Sequence, residues 1–95
     1  MILNVASVLI DRDGSPILEN GEPVHARKAF INALLAGDAN TDKLARFELF
    51  LKLRSSDDNT DLSADEVRLL ETAVEVFPTL IMGQLIYLLN NKTVK

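Results

Sequence analysis

Ninety-five residues leave room for one small hydrophobic core and no second domain. An apolar fraction of 47% against 25% charged residues places the chain among globular proteins and excludes general disorder. With no cysteine there is no disulfide, thiolate nucleophile or zinc–thiolate site, and a net charge of −4 with scattered Lys and Arg argues against nucleic-acid binding.

The opening "MILNVASVLI" is rich in β-branched and aliphatic residues and predicts a strand from Ile2 to Ile10. Ile2, Ala6, Val8 and Ile10 share one face of that strand, with Asn4 the exception on it. The segment lacks a basic leader and a small-residue cleavage site, so no signal peptide is expected. No apolar run reaches the roughly 20 residues needed to cross a bilayer. Asp13-Gly14 and Asn20-Gly21 are hairpin-turn signals, because glycine accepts a positive φ without a Cβ penalty. Pro16 opens a second short strand, Ile17 to Glu19. Residues 1–23 therefore read as a β-hairpin.

At Val24 the apolar period lengthens. Ala26, Ala29, Phe30, Ala33 and Leu34 recur at helical spacing up to Ala36, with Gly37 as the stop. Thr41 is the natural N-cap of a second helix, Asp42 to Arg54, whose stripe is Leu44, Phe47, Leu51 and Arg54, widened by Phe50 and Leu53. "SSDDNTD" reads as a solvated loop. Ser63 and Glu66 fit a capping box ahead of a third helix with Val67, Leu70, Val74 and Phe77 on one face, which Pro78 ends or kinks. "TLIMGQLIYLLNN" is apolar on almost every side, so it is either core or covered by a partner. Gly83 within it points to a close helix approach or to a break after Pro78. The fold expected is α+β, a hairpin (1–23) packed on a bundle of three to four helices (24–90), with a frayed tail at 91–95.

Few residues suggest chemistry. "DRDGSPILENGEP" resembles a cation loop, but counted from Asp11 its glycine falls at position four and Pro16 occupies the place of the EF-hand glycine. A pair of turns fits it better than a calcium site. His25 is the only histidine and sits at a helix start, where a capping role suffices. The pairs Asp57/Asp58 and Asp65/Glu66 fall in a loop and a first helical turn, where the helix dipole alone favours acids. The glycines are isolated and form no phosphate loop. Each phenylalanine falls on an apolar stripe and reads as core, whereas Tyr87 reads as an interface anchor. No catalytic, metal or cofactor residue is assigned, and no nucleic-acid or membrane partner is expected.

Together "LIDRDGSPI", "AFINALLAGD", "ARFELFLKLRSS" and "TDLSADEVRLLETAVEVFPTLIMGQLIYLLN" resemble small proteins of about a hundred residues encoded by tailed bacteriophages and prophages. The chain departs from their pattern in a shorter connector between the first two helices. The resemblance implies a phage setting, cytoplasmic in the bacterial host or associated with the virion. It also implies a small accessory or assembly role. The function expected is non-enzymatic protein–protein contact, with itself as a homo-oligomer or with a phage or host protein, through Leu80, Ile81, Gln84, Tyr87 and Leu88. The alternative is an acidic inhibitor of a host protein, drawing on Asp38, Asp42, Asp57, Asp58, Asp61, Asp65 and Glu66.

Overall fold

The computed structural model describes residues 1–36 and 42–92. Four helices and four short strands follow one another as β1 (Ile2–Asn4), β2 (Leu18–Glu19), β3 (Glu22–Pro23), α1 (Ala26–Leu35), α2 (Lys43–Ser55), β4 (Asn59–Asp61), α3 (Ala64–Ala73) and α4 (Thr79–Leu89). The architecture is α+β, an N-terminal hairpin unit on a helical bundle.

The hairpin uses both turn signals. The Asp11–Ser15 turn brings Ile10 opposite Pro16, and Asn20-Gly21, both at positive φ, joins β2 to β3. Asp11 Oδ1 accepts the N–H groups of Asp13 and Ser15 at 2.8 and 3.2 Å, so the turn itself occupies this carboxylate oxygen. A closed set of backbone bonds ties the unit together. Leu9 N–H donates to Val24 C=O, Val24 N–H to Ile17 C=O, and Ile17 N–H to Leu9 C=O.

The first strand differs from expectation in length and in face. Extended pairing stops at Asn4, where the chain turns through Val5 and Ala6 as Ala6 N–H donates to Asn4 Oδ1. Leu3, Val5 and Leu9 point inward, while Ile2 and Val8 are exposed. The polar Asn4 marked the outward face, and a one-residue shift in register exchanges the faces. β1 pairs antiparallel with β4, Leu3 opposite Thr60. The stretch "SSDDNTD" is therefore partly strand, with Thr60 buried and its hydroxyl donating to Ser56 Oγ at 2.7 Å.

Helix α1 is the central element, touching α2, α3 and the 3-10 turn Val74–Val76. Its buried residues are the predicted Ala26, Ala29, Phe30, Ala33 and Leu34, whose small members let neighbours approach closely. Its first amides are already used, since Ala26 N–H donates to Ser7 C=O and Arg27 N–H to Val5 C=O. The predicted stop at Gly37 and cap at Thr41 lie outside the described residues. Asp42, at a φ of 61°, is the N-cap of α2.

Two arginines clamp α1 and α2 end to end. Arg27 donates to the carbonyls of Leu53, Ser56 and Asp57, each at 2.6 Å, and so serves the C-terminal end of α2. Arg46 donates from α2 to Ala33 and Leu34 C=O at 3.2 and 3.4 Å, serving the end of α1. The two helices therefore run antiparallel.

The capping box forms as its spacing predicts. Ser63 N–H donates to Glu66 Oε1 at 2.8 Å and Glu66 N–H to Ser63 Oγ at 3.2 Å. The third helix tightens into the 3-10 turn and ends at Phe77, so α4 is a separate helix starting on Pro78. Asn91 at φ 57° closes α4 in a Schellman motif, with Asn91 N–H donating to Leu88 C=O and Lys92 N–H to Tyr87 C=O. Asn91 and Lys92 thus belong to a helix cap and not to a frayed tail, and residues 93–95 lie outside the described set. Gly83 lies inside α4, and a Cβ built on it meets nothing within 4 Å. It marks neither a close approach within the chain nor a break.

Candidate interaction surfaces

Three regions of the surface offer recognition chemistry. The first is a groove of about 520 Å³ between the hairpin and α1, floored by Val5, Val24 and Ile31. Its charged walls are largely committed. Lys28 pairs with Glu19, and Arg27 is spent on α2. His25 stands at the N-cap position of α1 without a side-chain capping bond, and its Nδ1–H donates instead to Ala6 C=O at 2.8 Å, because a carbonyl can only accept. Among the described residues, no three His, Asp or Glu side chains gather as ligands for one metal ion. No described helix is long and apolar enough to cross a membrane.

The second region is the outward side of α4, where the sequence places a partner surface. Leu80 and Tyr87 are 44% and 46% exposed, and the Lys92 ammonium lies over the Tyr87 ring at 5.5 Å. Ile81 and Leu88 are half-buried against the core. Gln84 corrects the expectation. It is 6% exposed, and its side-chain amide accepts from Ile10 N–H at 2.8 Å and donates to Ile10 C=O at 2.7 Å. The amide behaves as one rung of a β-ladder between α4 and the hairpin unit, and is closed to a partner. What remains of the predicted surface is Leu80 and Tyr87, one helical face seven residues apart.

The third region was read as core. In α2 the residues facing α1 are Leu49 and Leu53, fully buried, with Arg46 and Phe50 partly covered beside them. The predicted stripe is on the opposite side. Leu44 is 71% exposed, Phe47 50% and Leu51 36%. The helix carries two apolar stripes, and a helix lying on one neighbour can bury only one. Arg46 decides which, because its guanidinium reaches the end of α1 only when Leu49 and Leu53 face inward. The rings of Phe47 and Phe50 are 5.9 Å apart, so Phe50 backs the exposed ring from the covered side.

The acidic residues differ in how far the fold engages them. Asp57, Asp58, Asp61 and Asp65 are exposed, Asp42 begins α2, and Asp38 lies outside the described residues. Glu66 is committed to the capping box and to Lys52 Nζ at 2.8 Å. Partial burial acts to raise its pKa, but the hydrogen bonds from Lys52 and Ser63 and the Lys52 charge prevail and hold the carboxyl below its ordinary value.

No family model, curated protein or solved structure matches the chain.

Proposed function

We propose that the chain is a non-enzymatic accessory protein of a bacteriophage or prophage that acts by protein–protein contact, in a role such as head or tail assembly, and that the outer face of α2 makes the contact. The observation that carries this reading is the line of Leu44, Phe47 and Leu51, three large apolar side chains in solvent on one face of one helix. The phage setting rests on the resemblance of the sequence motifs. The engagement of Glu66, His25 and Asp11 in hydrogen bonds within the fold supports a role without catalysis, since each of these groups already has a structural task.

Immobilised wild-type protein, the Phe47→Glu variant and the Tyr87→Ala variant, each offered lysate from infected and uninfected host cells, test the reading. The expected result is loss of captured protein with Phe47→Glu and retention with Tyr87→Ala. Equal capture by all three would overturn the assignment of the surface to α2.

A further inference from the structure

The exposed stripe of α2 has a repeat and a rim as well as an apolar character. Leu44, Phe47 and Leu51 follow one another at intervals of three and four residues, which is the a, d, a order of a coiled-coil seam. On that register Lys43 occupies a g position and Glu48 an e position, one on each side of the seam, and both are exposed. Arg54 takes the next d position and ends the apolar line, with its guanidinium drawn sideways over the Phe50 ring at 5.6 Å. Two of the helix's other cations are engaged within the chain, Arg46 with the carbonyls of Ala33 and Leu34 and Lys52 with Glu66.

From this we infer that the occupant of the stripe is a second copy of the chain, its α2 lying parallel to the first across a two-fold axis. The inference rests on the α2 contact reading above and names its partner. Charge complementarity selects both the copy and the direction. In a parallel pair each g residue faces the e residue of the following heptad, so Lys43 of each copy meets Glu48 of the other, twice by symmetry. In an antiparallel pair e faces e and g faces g, so Glu48 meets Glu48 near the middle of the seam and repels it, while Lys43 gains no acidic partner. A parallel pair also stacks Leu44 on Leu44, Phe47 on Phe47 and Leu51 on Leu51, burying the three exposed large apolar side chains of the helix together. Two heptads make a short seam, so the dimer is expected to be reversible and dependent on concentration.

The chain has no cysteine, so an introduced one is the sole thiol and reports its own neighbour. Leu44→Cys, Leu51→Cys and, as a control on the flank of the seam, Ala45→Cys are oxidised under folded conditions, while the wild type is followed by sedimentation over a range of concentrations. The expected result is a wild-type monomer–dimer equilibrium, self-cross-linking of Leu44→Cys and of Leu51→Cys, and little with Ala45→Cys. Lys43→Glu and Glu48→Lys should each weaken the dimer about tenfold, and the double reversal should restore it. Cross-linking only when Leu44→Cys and Leu51→Cys are mixed would overturn the parallel pairing. A wild type that stays monomeric would overturn the self-association. If that monomer still loses its lysate partner on Phe47→Glu, the α2 contact reading survives with a different partner. If capture is unchanged as well, both readings fall.

Discussion

Helix α4 contains no charged residue, yet most of its apolar surface is covered, whereas α2, with Lys43, Arg46, Glu48, Lys52 and Arg54, leaves Leu44, Phe47 and Leu51 in water. The difference comes from where each helix lies. α4 packs against β1, α3 and the 3-10 turn, so several of its sides are occupied. α2 lies chiefly on α1, and one neighbour covers one stripe. Apolar content therefore says how much surface a helix needs to hide, while the number of neighbours decides how much it does hide.

Truncation of one leucine on each helix gives the largest expected contrast. Leu85→Ala, in the covered face of α4, should cost about 2–5 kcal/mol in urea unfolding. Leu44→Ala, measured at low protein concentration, should stay within about 0.5 kcal/mol of wild type. Similar losses at both sites would mean that α2 is covered in solution.

The polar tethers of the two helices come next. Arg27→Met removes three charge-assisted bonds to the end of α2 and should cost about 2–3 kcal/mol. Gln84→Leu leaves the Ile10 N–H and C=O without their partner on α4 and should cost about 1–3 kcal/mol. Amide exchange at Ile10 should quicken in the second variant, and unchanged protection there would show that the Gln84 rung carries no stability.

Glu66→Gln keeps a capping-box side chain but removes the charge that faces Lys52, and should cost a few tenths to about 1 kcal/mol at pH 7. Because the folded carboxyl titrates below its ordinary 4.5, its contribution is complete above that value and is lost as pH falls through the lower folded one. The gap between wild type and Glu66→Gln should therefore close on acidification, and a gap independent of pH would assign the loss to packing. The smallest effect is a gain. Gly83→Ala should stabilise the protein by up to about 1 kcal/mol, since a helical glycine is replaced and nothing obstructs its Cβ. A loss instead would reveal a close contact on α4 that the single chain does not make.

Features set by neighbouring residues were legible in the sequence. Asp13-Gly14, Asn20-Gly21, Ser63 with Glu66, and Pro78 each act through bonds spanning a few positions, and each turn, cap or break forms where its residues stand. The face of α1 was legible too, because Ala26, Ala29, Phe30, Ala33 and Leu34 allow only one apolar side. β4 was not, since "NTD" carries no apolar alternation and becomes strand only through β1, more than fifty residues earlier. The surface of α2 was misread because both of its stripes satisfy the helical period. The choice between them lies with Arg46 and the carbonyls of Ala33 and Leu34, on a different helix.

The rung between Gln84 and Ile10 has a consequence for the order of folding. α1 and α2 are neighbours in sequence, so their antiparallel pair can close while the chain is still being made. Leu3, by contrast, needs the strand around Thr60, and Ile10 needs a side chain 74 positions later. The pairing of Leu3 with Thr60 and of Ile10 with Gln84 is therefore among the last to form. Until β4 and α4 are both made, Leu3 is an uncovered apolar side chain on an otherwise organised nascent chain.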